Sequence, residues 1–147
     1  MKPFPHQYTV RAKAVEQSSV SLDSPGLNPM ESAPPAEFDG PGNMWSPETL
    51  FVAAVSDCFI LTFRSIAKAS KLPWITVSCE GCGTVNRVEG TTSFTAVDLN
   101  VRLEISNPVD KERAAKLLEK AEKSCLVSNS LRFAPTLRTE IAVKQAA

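Results

Sequence analysis

The hydrophobic and polar positions of the first third of the chain predict two strands followed by a long loop. Residues 8–15 alternate apolar and polar side chains for most of their length, which is the period of a half-buried strand. Residues 19–22 are the candidate hairpin partner of that strand. Residues 23–47 contain six of the eleven prolines and three of the six glycines, which excludes a helix or a central strand. We therefore expect this segment to be a long ordered loop or a cover.

A long, unusually apolar helix is predicted next. Ser46 is a typical N-cap, Pro47 suits the first helical position, and Glu48 brings a negative charge to the positive end of the helix dipole. From residue 50 to residue 63 almost every position is apolar, so the helix has no wide polar face. We predict a helix over residues 47–70 that is buried nearly all round. The polar exceptions in its apolar stretch are Ser56, Asp57 and Thr62.

The second half of the chain predicts a strand pair, a helix and a last strand. Residues 74–88 and 93–105 are rich in β-branched side chains and are separated by a glycine-containing turn, which favours two antiparallel strands. Asp110 is the candidate N-cap of an amphipathic helix that ends near Ser124. Residues 136–143 alternate again and predict a final strand. The apolar face predicted for the second strand comprises Val97, Leu99, Val101, Leu103 and Ile105.

Composition and charge narrow the class of protein. A length of 147 residues predicts a single domain over residues 1–147. Sixteen basic residues balance sixteen acidic ones, so the chain lacks the broad basic field that drives binding to nucleic acids or anionic membranes. The longest unbroken apolar run, residues 50–55, is far shorter than the roughly 18 to 20 residues of a membrane span. With no signal-peptide pattern in its first residues, the chain is expected in the cytoplasm.

Histidine and metal chemistry have little support in the sequence. His6 is the single histidine and lies in a proline-flanked terminal segment, where a solvated side chain is the ordinary role. Cys79 and Cys82 have a zinc-like spacing, but no second pair accompanies them and a tetrahedral site needs four ligands. On a regular strand these two positions also point to opposite faces. We interpret both as structural free thiols and expect no metal.

Cys58 and Cys125 are the remaining candidates for chemistry. Cys58 lies in the middle of the apolar helix, and Cys125 lies just past the second helix. Both fit two interpretations: a small buried residue, or a reactive thiol. Reactivity needs an adjacent positive charge or hydrogen-bond donors, which a sequence does not display. From the residues alone, both interpretations stay open.

Two sequence motifs around these cysteines resemble those of a known family, and the resemblance favours reactive thiols. Residues 46–51 read SPETLF and residues 53–59 read AAVSDCF. This stretch is similar to the helix of the OsmC/Ohr family, the osmotically inducible and organic hydroperoxide resistance proteins. Residues 121–131 read AEKSCLVSNSL and resemble the segment in which that family carries its second cysteine. The two cysteines are 67 residues apart (58 to 125), with the strand pair between them in the expected order. The resemblance covers nearly the whole chain.

The resemblance implies a fold, an assembly and an activity. The fold is α+β, with antiparallel sheets packed on a long buried central helix, in an intertwined homodimer with active sites at the subunit interface. The activity is that of a thiol-dependent peroxidase that reduces organic hydroperoxides to alcohols. Cys58 would become a sulfenic acid, and Cys125 would resolve it as a disulfide. No bound cofactor is implied, because an external dithiol, of lipoyl type in the family, reduces the disulfide.

One departure from the family pattern bears on the chemistry. The family's peroxidases hold the reactive thiolate with an arginine, but residues 17–19 and Glu37 occupy its two usual places here. Arg11 is the nearest substitute, and without a cation burial predicts a raised pKa for the Cys58 thiol. Glu48 matches the family's acidic residue that pairs with the arginine, yet it is ten residues from Cys58, about 15 Å on a continuous helix.

Two other functions are therefore kept beside the peroxidase. The first is a non-enzymatic OsmC-like protein that binds a hydrophobic small molecule or senses oxidants at the dimer interface, and the missing arginine motivates it. The second is a structural or interaction module in which all four cysteines are core residues. Peroxide turnover separates the peroxidase from both of these alternatives.

Overall fold

The computed structural model describes residues 1–145 and divides the chain into two compact units, Met1–Leu50 and Phe51–Ala147. It is an α+β protein with two three-stranded sheets. In chain order the elements are β1 (Arg11–Lys13), β2 (Val20–Asp23), β3 (Met30–Ser32), α1 (Pro47–Ala69), β4 (Thr76–Val88), β5 (Thr91–Ile105), α2 (Lys111–Ser124) and β6 (Thr136–Val143), with single turns of 3-10 helix at Ala36–Phe38, Pro108–Asp110 and Ser128–Ser130.

The first unit is built on an antiparallel sheet with the order β1-β2-β3. The predicted hairpin is present, although β1 is shorter than the alternating stretch that predicted it. The prediction that residues 23–47 hold no central strand is confirmed, because β3, which lies in this segment, is at the edge of the sheet. Neighbouring prolines interrupt no ladder hydrogen bond at an edge. A backbone hydrogen bond within the same segment, from the Ala33 N–H to the Trp45 carbonyl at 2.9 Å, holds it in place.

Helix α1 starts where the sequence predicts. The Thr49 N–H donates to Ser46 Oγ at 3.1 Å, and the Ser46 N–H donates to Thr49 Oγ1 at 2.8 Å. This reciprocal pair satisfies donors that the first helical turn leaves free. At the other end Lys71 adopts a left-handed conformation, with φ of 53°, and the Leu72 N–H donates to the Ala67 carbonyl at 2.9 Å. Both predicted ends are confirmed to within one residue.

Burial of α1 differs from the prediction. One stripe of the helix is fully buried, comprising Val55, Phe59, Phe63 and Ala67. Leu61 is 51% exposed, so a single chain does not bury the helix all round. By length and composition α1 is also apolar enough to cross a membrane, which the count of unbroken apolar residues missed. Core helices of soluble proteins meet the same criterion, and the buried stripe of α1 belongs to the core of the second unit.

The second sheet has the order β4-β5-β6 and is mixed. β4 and β5 form a long antiparallel hairpin through the turn Glu89–Gly90, where both residues have positive φ, 50° and 80°. Gly90 takes that conformation without a Cβ penalty. β6 pairs with β5 in the parallel direction, which the sequence did not predict. The apolar face predicted for β5 is confirmed, since all five of its residues are buried.

The start of α2 differs in detail from the predicted cap. Asp110 makes no side-chain capping hydrogen bond, because it belongs to the 3-10 turn Pro108–Asp110 that precedes the helix. The cap lies earlier, where Asn107 Oδ1 accepts a hydrogen bond from the Val109 N–H at 3.1 Å. A helix that opens through a 3-10 turn shifts its cap upstream by the length of that turn.

Two glycines bring α1 close to β4. A Cβ on Gly81 would overlap Ser56 Oγ and stand 2.9 Å from Val52 Cγ1. A Cβ on Gly83 would stand 2.6 Å from Val52 Cγ2 and 2.7 Å from Phe94 Cε1. Real Cβ atoms do not approach their neighbours so closely, so glycine is required at both positions. The glycines thereby fix the distance between the cysteine-bearing helix and the sheet.

Candidate thiol site

Cys125 is held in place by the connection between β5 and β6. The two strands are parallel, so the chain must travel back along their paired length before β6 begins. α2 makes that return over 14 residues, about 21 Å of helix. Cys125 follows its last residue, with its N–H donating to the Glu122 carbonyl. The fold thus returns Cys125 toward the end of the sheet where β6 starts, and there it is fully buried.

Cys58, on α1, lies near Cys125. Cys58 is half-buried, and its Sγ lies 3.8 Å from Oγ1 of Thr62, one helical turn further on. The thiols of Cys58 and Cys125 are both free, and each shifts the pKa of the other through hydrogen bonding. Two cysteines that are 67 positions apart in the chain (58 to 125) therefore form one site.

The turn after α2 adds backbone donors to this site. The N–H groups of Leu126 and Val127 hydrogen-bond to the sulfur of Cys58. The Ser128 N–H hydrogen-bonds to Cys125. Sulfur as a thiolate is a strong acceptor, whereas a neutral thiol accepts weakly. These donors therefore favour negative charge on Cys58.

The pKa of Cys58 is lowered. Burial is the largest single influence and raises the pKa, but the hydrogen bonds from Cys125, the Val127 N–H, the Thr62 hydroxyl and the Leu126 N–H together outweigh it. The sequence-based prediction of a raised pKa is therefore wrong, because it weighed burial and the missing cation without the backbone donors. Hydrogen bonding to the charged form is an independent way of lowering a pKa.

Cys125 behaves in the opposite way. Burial raises its pKa, the hydrogen bond with Cys58 raises it further, and the Ser128 N–H offsets part of the effect. Of the two thiols, Cys58 therefore ionises more readily, and Cys125 keeps its proton to higher pH. The site pairs a thiolate-forming cysteine with a cysteine that keeps its proton, and the two differ because of their surroundings rather than their residue type.

Cys79 and Cys82 lie on opposite faces of β4, as predicted. Pairing with β5 is regular at both positions, and the register irregularity comes later, between Thr84 and Val85. Cys79 is half-buried, and burial raises its pKa to about 11, although a hydrogen bond with Ser56 offsets part of the effect. Cys82 is exposed. In residues 1–145, no three His, Cys, Asp or Glu side chains gather as metal ligands would.

The two charged candidates from the sequence lie in the first unit. Arg11 is engaged across the β1–β2 hairpin, with Nη2 2.6 Å from Asp23 Oδ1. No basic side chain of the described chain contributes to the pKa of Cys58. Glu48 occupies the first turn of α1. Its Oε2 is buried without a hydrogen-bond partner among residues 1–145.

Sequence reasoning missed the three residues whose groups donate to Cys58. Thr62 left a signal, since it is one of the few polar residues in an apolar helix and stands four positions from Cys58. Leu126 and Val127 left none, because they act through N–H groups that every residue except proline carries. A thiolate held by such donors, beside a second thiol, can attack an electrophilic atom and then exchange into a disulfide.

An α+β fold that joins a central-helix cysteine to a second cysteine after a crossover helix defines a thiol-pair protein. The family model described as OsmC-like protein matches residues 40–140. The chain belongs to the OsmC-like family, within the wider group of OsmC and Ohr proteins, and the predicted resemblance is confirmed.

Individual proteins are similar to this chain in sequence or in structure. The uncharacterized protein YmaD of Bacillus subtilis is 27% identical over 113 residues, which are 75% of each chain. An OsmC-like protein of unknown function from Vibrio cholerae superposes with a TM-score of 0.80 at 20% identity, covering 93% of this chain and 99% of the other. An organic hydroperoxide resistance protein from Legionella pneumophila superposes with a TM-score of 0.73 at 23% identity, covering 96% of this chain and 100% of the other. At these identities the structures establish the shared fold.

Proposed function

We propose that the protein is a thiol-dependent peroxidase that reduces organic hydroperoxides to alcohols. The Cys58 thiolate attacks the distal peroxide oxygen, the O–O bond breaks, and the leaving alkoxide takes up a proton to become the alcohol. Cys58 is then a sulfenic acid. The Cys125 thiol attacks its sulfur, water leaves, and a disulfide remains. An external dithiol, of lipoyl type, transfers two electrons to the disulfide and restores both thiols.

The observation that carries this proposal is the asymmetric thiol pair. Cys58 has a lowered pKa, and Cys125, hydrogen-bonded to it, keeps its proton. A peroxidatic thiol must be a thiolate at neutral pH, and a resolving thiol must be within reach of the sulfenic acid. The similarity to an organic hydroperoxide resistance protein supports the same substrate class. Four free thiols in the described chain suit the cytoplasm, where thiols are kept reduced.

The direct test is the covalent state of the two cysteines after peroxide. One equivalent of cumene hydroperoxide is added to the reduced protein, and the digest is examined by mass spectrometry without a reducing agent. We expect one cross-linked peptide pair that joins Cys58 to Cys125, and cumyl alcohol in equal amount. Hydrogen peroxide should react more slowly, because the site is buried and apolar. Both thiols still free after the organic peroxide would contradict the peroxidase.

Binding or sensing is the second candidate. It is favoured by the engagement of Arg11 with Asp23 and by the lack of a cation contribution at Cys58 among the described residues. For this function we expect saturable binding of an apolar ligand and no catalytic consumption of peroxide with any dithiol. Reactions with excess cumene hydroperoxide and a dithiol, followed to many turnovers, distinguish the two functions.

We also propose that the protein is a homodimer through α1. In a single chain, 22% of the most apolar stretch of this helix is buried. The exposed stripe of α1 has Asp57 one turn before Leu61 and Arg64 about one turn after it. A second copy packed antiparallel about Leu61 would bring the Asp57 of each chain toward the Arg64 of the other. A twofold interface requires such a self-complementary stripe.

A charge at the centre of this stripe should separate the subunits. For Leu61→Glu we expect a monomer by sedimentation at a concentration where the wild type is a dimer, because two carboxylates would be buried face to face. Val109→Glu is the control, since Val109 is exposed and lies outside α1. A dimer in Leu61→Glu as tight as the wild type would exclude this interface.

A further inference from the structure

We infer that neutral donors hold the Cys58 thiolate in place of a cation: the N–H groups of Leu126 and Val127 and the hydroxyl of Thr62. Thr62 is thus a positioning residue for the reactive sulfur. The inference rests on the proposed function in assigning a purpose to the thiolate. It differs from the arginine pattern that the family resemblance implies.

The backbone donors have no other use in the described chain. Within residues 1–145, no loop or turn carbonyl accepts a hydrogen bond from the Leu126 or Val127 N–H. The neighbouring N–H groups do have such acceptors, since Cys125 donates to Glu122 and Asn129 donates to Cys125. A pair of successive N–H groups free of backbone partners forms an anion-binding concavity when a negative atom faces it. Cys58 supplies that atom.

Thr62 differs from Thr49 and Ser56, two other hydroxyl residues of α1. Ser56 donates to the Val52 carbonyl at 3.0 Å, and Thr49 donates to the Ser46 carbonyl at 3.1 Å, which is how hydroxyls inside helices are usually satisfied. The hydrogen-bond partner of Thr62 is instead the Cys58 sulfur, at 3.8 Å. A hydroxyl in an otherwise apolar stretch is thereby directed at the reactive atom.

The charged surroundings of Cys58 leave this role to neutral groups. From the turn after α2, the titratable group that faces it is Cys125. From β4, Cys79 lies near Cys125. On α1 itself, the adjacent Asp57 and the next cation, Arg64, are exposed in the single chain, and in the proposed dimer they would pair with each other across the interface. Neutral donors inside a site are insensitive to salt, whereas a solvent-exposed cation loses most of its influence over a Debye length of about 8 Å at physiological ionic strength.

The test measures the thiolate of Cys58 directly. The rate of iodoacetamide labelling is followed against pH, with Cys58 identified by peptide mass spectrometry, for wild type, Thr62→Val and Thr62→Ser. For Thr62→Val we expect the pKa to rise by about one unit, which lowers the thiolate fraction about tenfold below that pKa. Thr62→Ser keeps the hydroxyl and should stay near wild type. Ser65→Ala, which removes an exposed hydroxyl from the same helix, should leave Cys58 unchanged.

Three results would overturn the inference. They are an unchanged pKa in Thr62→Val, an equal rise in Thr62→Ser, and a wild-type pKa that climbs steeply with added salt, which would reveal a cation. If Thr62→Val does not fold, Thr62→Ala provides the same comparison with a smaller side chain. Labelling requires no peroxide. A protein without turnover whose Thr62→Val pKa still rises would therefore disprove the peroxidase and leave the thiolate site standing.

Discussion

Cys58→Ser should lose peroxide reduction, by on the order of a thousandfold or more, since a serine hydroxyl at neutral pH cannot replace a thiolate nucleophile. Cys125→Ser should behave differently. Its Cys58 still reacts once with cumene hydroperoxide, but the sulfenic acid then has no resolving partner. We expect a single turnover followed by sulfinic acid at Cys58 when more peroxide is added. Peroxide consumption with dihydrolipoamide, followed in parallel with intact mass, measures both effects.

The matched control for these variants is Cys82→Ser. Cys82 is exposed on the face of β4 opposite to Cys79, and it has no part in the thiol pair. Its replacement should leave turnover at the wild-type rate. Steady turnover by Cys125→Ser would assign resolution to another thiol, either Cys79 or the reductant itself, and would remove Cys125 from the mechanism.

Phe59→Ala should cause the largest loss of stability in the second unit. Phe59 is fully buried in the stripe of α1 that forms the core. Truncating a buried phenylalanine to alanine removes its transfer free energy and leaves a cavity, which together lower the free energy of unfolding by about 3–5 kcal/mol. Small proteins have about 5–15 kcal/mol in total. The variant should therefore lose a large fraction of its total stability and unfold at a much lower urea concentration than the wild type.

Urea denaturation at a fixed protein concentration measures this change, because a dimer's apparent stability depends on concentration. Phe38→Ala is the control, since Phe38 is 53% exposed. We expect it to shift the midpoint by far less. Equal losses in the two variants would mean that the buried stripe of α1 does not provide the core.

The sequence predicted the regular elements well where local signals were strong. Ser46 and Pro47 placed the start of α1, and the alternation of residues 136–143 matched β6 in full. It failed where tertiary context decides. β3 is three residues long and follows Pro29, so its pairing with β2 leaves no periodic signal. The parallel direction of β6 depends on where the chain returns after α2, and alternation is the same in both directions.

The candidate site was predictable in its side chains and not in its electrostatics. The two cysteine motifs pointed to Cys58 and Cys125 through resemblance, and the structure brings these thiols together. Whether Cys58 is acidic depended on the path of the chain at Leu126 and Val127. Side-chain identity does not reveal that path. The missing arginine therefore led to the prediction of a raised pKa for Cys58, whereas its pKa is lowered. Thr62 was visible in the sequence, but its partner was not.

The parallel pairing of β5 with β6 has a consequence for the order of folding. In this pairing Asp98 lies opposite Thr136, a partner 38 positions away (98 to 136), and contacts of such long range form slowly because the intervening loop must close first. α1 and the β4–β5 hairpin can form from nearby residues, but the turn that faces Cys58 comes after α2. In a partly folded chain Cys58 is thus an ordinary thiol, and its pKa falls only when the last steps of folding bring the turn after α2 to it.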